Sequence, residues 1–167
     1  ATVAELKTIN TATAGTITLN SQTIGADFTT DTAADLAAAF TGITTHTGDI
    51  TLKAGVAATV AELKTINTAT AGTITLNTET KAANFTTDTA ADLAAAFTGI
   101  TSHTGNITLK EGVASTVAEL KTINAATAGT ITLNTETKAQ NYSDTAVNLD
   151  AAFTGITSHT GNITLKE

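Results

Sequence analysis

The stretch Thr2–Leu19, TVAELKTINTATAGTITL, decides the reading of this chain. It recurs unchanged at Thr59–Leu76, and at Thr116–Leu133 with one change, Ala125 in place of Thr11. A spacing of 57 residues separates Thr2 from Thr59 and Thr59 from Thr116. A second stretch, TTDTAADLAAAFTGIT, runs from Thr29 to Thr44 and again from Thr86 to Thr101. The third copy is looser: Tyr142, Ser143 and Asp144 lead into TAVNLDAAFTGIT. The chain therefore reads as three tandem repeats, 1–57, 58–114 and 115–167. Each repeat has two similar halves, T-V-A-E-L with G-T-I-T-L and T-A-A-D-L with G-D-I-T-L. Periods of 20–50 residues mark units that cannot bury an apolar face alone.

Each half begins with a helix signal. Thr2 is followed by Glu5, Thr59 by Glu62 and Thr116 by Glu119, each a capping box. Thr32 with Asp35 and Thr89 with Asp92 repeat the signature, while Thr145 with Asn148 lacks the charge. Val3, Leu6 and Ile9, and then Leu36, Phe40 and Ile43, fall at helical spacing. Gly15, Gly48, Gly72, Gly105, Gly129 and Gly161 are expected to end the helical halves. The T-I-T-L that follows alternates strictly, so Ile17 and Leu19 face one way and Thr16 and Thr18 the other. The return loop carries one further bulky residue, Phe28, Phe85 or Tyr142.

A strand, a helix and a parallel strand form a crossover that should be right-handed. Six in series predict a right-handed α/β-solenoid of six helix–strand coils with one parallel sheet. Alternating strands leave the outer sheet face to water or a partner, unlike a sheet buried on both sides. Length and strand count exclude a TIM barrel.

The layout resembles leucine-rich-repeat proteins in its strand-plus-helix coil and unit length, although Leu19 is followed directly by Asn20 and L-x-x-L-x-L-x-x-N is not reproduced. The wording TAADL, INTATAGTITL and TGNITL is similar to Thr/Ala-rich tandem repeats of very long secreted or surface proteins of cyanobacteria and other aquatic bacteria. That resemblance implies an extracellular or cell-surface location and a structural role.

Composition narrows the function. All basic residues are Lys, the formal charge is −7, and there is no Cys, Met, Pro or Trp. An acidic chain without Arg lacks the footprint of nucleic-acid binding. No apolar run approaches the roughly 18–20 residues of a membrane span. Without Cys there is no disulfide framework or zinc–sulfur site. The chain begins at Ala1 rather than Met and is expected to be a piece of a longer protein.

His46, His103 and His159 recur in T-H-T-G, and equivalent histidines two strands apart are too distant to share one metal. They read as polar turn residues. Asp27 and Asp31, Asn84 and Asp88, and Asn141 and Asp144 flank the loop before the second helix, where they cap turns. A calcium site needs several converging oxygens, and neither the EF-hand nor the calcium β-roll pattern is present. Ser102-His103 and Ser158-His159 are neighbours in a turn, and no Ser-His-Asp arrangement is indicated. Sequons at Asn84, Asn106, Asn141 and Asn162 arise readily in a chain with 42 Thr. No metal, cofactor or catalytic residue is therefore expected.

The candidate ligand-facing surface is the outward strand face: Thr16, Thr18, Asp49, Thr51, Thr73, Thr75, Asn106, Thr108, Thr130, Thr132, Asn162 and Thr164. Its T-x-T ranks resemble ice-binding β-solenoids. The leading expectation is a spacer or filament-forming module of an extracellular bacterial surface or fibre protein, self-associating end to end or continuing in a longer chain. The alternative is a module binding ice or polysaccharide on the Thr face.

Overall fold

The structure is a computed structural model describing residues 1–167. The chain divides into two compact units, Ala1–Lys81 and Ala82–Glu167. The first holds helices α1 (Val3–Ala12), α2 (Ser21–Ile24), α3 (Ala33–Phe40) and α4 (Val60–Ala69), with strands β1 (Ile50–Thr51) and β2 (Ile74–Thr75). Helix α5 (Thr78–Ala82) spans the boundary. The second unit holds α6 (Ala90–Phe97), β3 (Ile107–Thr108), α7 (Val117–Ala126), β4 (Ile131–Thr132), α8 (Thr135–Ala139), β5 (Tyr142–Thr145), α9 (Ala146–Phe153) and β6 (Ile163–Lys166).

The helix starts follow the capping chemistry. At Thr2, Thr59 and Thr116 both arms of the box are present, with the Thr hydroxyl accepting from the N3 amide and the Glu carboxylate accepting from the cap amide. Asp is one methylene shorter and does not close the box. At Thr32 and Thr89 the Thr hydroxyl still accepts from the Asp35 or Asp92 amide, and it also donates to that residue's carboxylate at 2.8 Å. Helix ends are satisfied from neighbouring helices. Asn10 on α1 donates to the carbonyls of Ala38, Ala39 and Thr41 at the end of α3. Asn124 on α7 does the same for Ala151, Ala152 and Thr154 at the end of α9. These are the carbonyls that a helix leaves without intrahelical partners.

The expected single six-stranded sheet of a six-coil solenoid is not what forms. There are three separate two-stranded parallel sheets, β1–β2, β3–β4 and β5–β6. The reason lies in the return loop. Phe28 makes a parallel bridge to Ile50 on the edge opposite Ile74, so the ladder runs Phe28–Ile50–Ile74. Phe85–Ile107–Ile131 repeats it. In the third repeat Tyr142 pairs with Ile163 within a four-residue ladder. The aromatic residue thus takes the rank expected for the T-I-T-L of the preceding half. Thr16–Leu19 forms no strand. Its counterpart Ile74 pairs with a strand 24 residues earlier, and for Ile17 that position lies before Ala1.

The glycines also act differently from expectation. Helices α3, α6 and α9 are followed by left-handed Gly42, Gly99 and Gly155, with φ near 76°. Gly48 and Gly72 lie well beyond the helices, where a Cβ would fall on the carbonyl oxygen of Ala26 and of Gly48, respectively. They are glycine because two backbones approach there, which is the other use of a missing Cβ.

The core of the first unit is built from Leu36, Phe40, Ile50, Leu52, Leu63 and Ile66, all buried, and that of the second from their counterparts Leu93, Phe97, Ile107, Leu109, Leu120 and Ile123. Leu19, Ile50, Leu52, Leu76, Ile107, Leu109, Ile131 and Leu133 are buried as the alternation predicts, Ile17 and Ile74 are half-buried, and Ile163 and Leu165 are exposed.

Candidate functional site

Of the twelve strand-face positions, those that lie in strands are distributed over three two-stranded sheets. In the first unit Thr51 stands beside Thr75, and in the second Thr108 stands beside Thr132. Thr164 stands beside Ser143. Thr51 and Thr108 are half-buried, and the other ten positions are exposed. Thr16 and Thr18 have no neighbouring strand in this chain.

Asp49 and Asn106, with Asp27, Asn84 and Asn141 beside the aromatic bridges, each hold a neighbouring amide. Asp27 Oδ1 accepts from the Asp49 amide at 2.8 Å, and Asp49 Oδ1 accepts from the Thr73 amide at 2.7 Å. In the second unit Asn84 Oδ1 accepts from Asn106 N–H and Asn106 Oδ1 from Thr130 N–H. Asn141 Oδ1 accepts from Asn162 N–H. These oxygens staple one turn of chain to the next, which explains why Asp and Asn interchange there. Only the oxygen is used, and both residues carry it.

The remaining loop acids are local. The Asp31 and Asp88 carbonyls accept from the amides of Lys53 and Lys110. Burial, followed by the nearby Asp92 charge, pushes the Asp88 carboxyl above its ordinary value. Asp144 Oδ1 accepts from the Asn148 side chain and the Thr145 amide, bonds that hold its carboxyl below the usual range. No three His, Asp or Glu side chains converge on a point that could hold a metal ion.

His46 and His103 are buried. His46 Nε2 lies 2.9 Å from the Ala26 carbonyl, and its Nδ1 lies 3.0 Å from Thr70 Oγ1. A carbonyl only accepts, so Nε2 carries a proton. The ring is stacked on Phe28, centroids 5.2 Å apart, and tilted against Phe40 at 5.0 Å. His103 repeats this with Ala83, Thr127, Phe85 and Phe97. Burial lowers both histidine pKa values. The carbonyl bond opposes the shift, and so does the Asp27 charge at His46. His159 keeps the carbonyl bond, to Gln140 at 2.8 Å, and packs on Tyr142 and Phe153.

Sequence reasoning missed a buried polar group beneath the return loop. Asn77 donates to the carbonyls of Lys53 and Val56 and accepts from Thr80 N–H, while Thr80 Oγ1 accepts from the Ala58 amide. Asn134, Thr137 and Ser115 repeat it, with Tyr142 donating to the Ser115 carbonyl at 2.7 Å. The signal was the recurring N-x-x-T at Asn20, Asn77 and Asn134. At Asn20 and Asn134 the Asn side chain caps the short helix that follows.

Comparison with family models, with curated proteins and with solved structures returns no match. No helix is long and apolar enough to cross a membrane.

Proposed function

We propose that the chain is a structural repeat segment, a spacer or filament-forming module, of an extracellular bacterial surface or fibre protein. The observation carrying this reading is how the polar side chains are spent. Asp27, Asp49, Asn84, Asn106, Asn141 and the three histidines each bond a backbone group of a neighbouring turn of chain. A catalytic or ligand site needs such groups converging in one distinct environment. Here the same environment is repeated, which favours mechanical continuity. The location draws on the resemblance to surface-protein repeats.

The test is a series of chains with two to five repeats. A spacer predicts a maximum dimension by X-ray scattering that grows in proportion to repeat number, with urea stability rising by a constant increment. Growth close to the cube root of length, as in a single globule, would overturn the reading.

A binding role draws on a narrower observation: exposed Thr75 and Thr132 stand beside Thr51 and Thr108 in register. Thermal hysteresis or polysaccharide binding, lost when Thr75 and Thr132 become Lys, would favour that reading over the spacer.

A further inference from the structure

We propose that copies of this chain join head to tail through one joint, in which α1 and Thr13–Leu19 of one copy dock on α9 and β6 of the next. This deepens the filament-forming half of the proposed role and rests on it.

The chain already makes the joint twice. In the first unit α4 lies against α3, and in the second α7 lies against α6. His46 N–H donates to Ala69 O, and Ala71 N–H donates to His46 O. Thr70 Oγ1 meets Gly48 O and His46 Nδ1. Thr73 N–H donates to Asp49 Oδ1, Ile50 N–H to Thr73 O, and Leu52 N–H to Thr75 O. The second unit repeats every one of these bonds from His103–Leu109 to Ala126–Thr132.

Both halves recur, unjoined, at the two ends. His159–Leu165 reads HTGNITL, identical to His103–Leu109. Ala12–Leu19 reads ATAGTITL, identical to Ala69–Leu76 and Ala126–Leu133. Identical segments with half their partners behave as expected for an open joint. Leu165 is 66% exposed against 3% and 2% for Leu52 and Leu109. Ile163 is 45% exposed, whereas Ile50 and Ile107 are fully buried. On α1, Ile9 is 48% exposed, whereas Ile66 and Ile123 are fully buried. An open hollow of about 500 Å³, lined by Ala1, Ala4, Glu5, Thr8 and Ile9, marks the same face. Strand β6 pairs on one edge only, and an open edge is a template for another strand.

Gly15 gives the sharpest indication. A Cβ there meets nothing but the Thr13 hydroxyl at 3.3 Å. At the equivalent Gly72 and Gly129 a Cβ would strike the carbonyl oxygens of Gly48 and Gly105. In residues 1–167 a Cβ at position 15 needs only a small shift of the Thr13 side chain, whereas with Gly161 of a second copy seated there it would strike backbone. The contact is heterologous and need not close, so it extends copy by copy. A net charge of −7 opposes it most at low salt.

The experiment uses the full chain, followed by sedimentation velocity from micromolar to millimolar concentration at low and moderate salt. The wild type is expected to form a ladder of oligomers that lengthens with concentration and salt. Gly15→Ala is expected to weaken association at least about tenfold, with circular dichroism and dilute melting unchanged. The chain has no Cys, so polarity is readable by cross-linking. In the joint, Thr18 stands beside Thr164 at a strand spacing of about 4.8 Å, within disulfide reach. Oxidising a mixture of Thr18→Cys and Thr164→Cys chains should give mixed dimers, and Thr18→Cys alone should not. Monomers only at millimolar concentration, Gly15→Ala associating as the wild type does, or cross-linking of Thr18→Cys to itself would each overturn the joint. None of these touches the spacer reading, which stands or falls on the repeat series.

Discussion

Ile9 and Ile66 occupy the same place in an identical stretch of 18 residues, yet one is 48% exposed and the other fully buried. Replacing each with Ala separates what sequence dictates from what packing dictates. At Ile66 the substitution removes about 0.8 kcal/mol of transfer free energy for each of three carbons, roughly 2.4 kcal/mol. The cavity left between α4 and α3 adds to this, so the total falls at about 3–4 kcal/mol, within the usual range for buried Ile→Ala. At Ile9 about half of the side chain is already in water and no enclosed cavity forms, so the loss is about 1 kcal/mol. Helix propensity changes equally at both sites and cancels in the comparison. Urea titrations at micromolar concentration, with unchanged slopes, measure both losses. Equal losses would refute the burial assignment. If the head-to-tail joint forms, the Ile9 loss should grow at concentrations where copies associate, since that side chain then enters an interface.

Three further outcomes are expected. Asp49→Ala should cost about 1 kcal/mol by removing the acceptor for the Thr73 amide, whereas Asp49→Asn should be nearly neutral in urea titrations, because Asn106 already fills that role. Thr59→Ala should cost about 1 kcal/mol as a lost N-cap, and Thr65→Ala, whose hydroxyl bonds only the Ala61 carbonyl one turn back, should cost less in the same titrations. Burial holds the His46 and His103 pKa below the ordinary value of about 6.5. Below that pH the unfolded chain binds the extra protons, so stability is full above about pH 6.5 and declines as pH falls toward the folded values. A double His46→Gln, His103→Gln variant should lose this decline in pH-dependent urea titrations. The decline that remains, below the ordinary carboxylate range of about 4, belongs to Glu5, Asp35, Glu136 and Asp144, whose pKa values are lowered by hydrogen bonds.

The parts of the fold legible in the sequence are those set by local chemistry. Thr2-x-x-Glu5 and its copies specify helix starts because cap and carboxylate lie within one turn of each other. The T-I-T-L alternation specifies which side chains enter the core. Strand partnership was not legible, because it is non-local and these strands are short. Ile50–Thr51 has only two residues in ladder, too few for a pattern to distinguish Phe28 from Ile17 as its neighbour. The aromatic residue has the advantage because its ring also stacks on His46 and packs against Phe40. The bonds by which Asp27, Asp49, Asn84 and Asn106 accept from a later amide were not legible either, because the bonded residues lie 22 or 24 positions apart. The glycines were misread for the same reason: their constraint comes from a backbone more than 20 residues away.

Through-hydrogen-bond NMR couplings in the isotopically labelled chain test the three-ladder architecture most directly. The structure predicts that the Thr51 amide couples to the Phe28 carbonyl, 2.8 Å away, and the Ile50 amide to the Thr73 carbonyl, 2.9 Å away. Coupling of the Thr51 amide to a carbonyl of Thr16–Leu19 instead would restore the continuous sheet and contradict the three-ladder architecture.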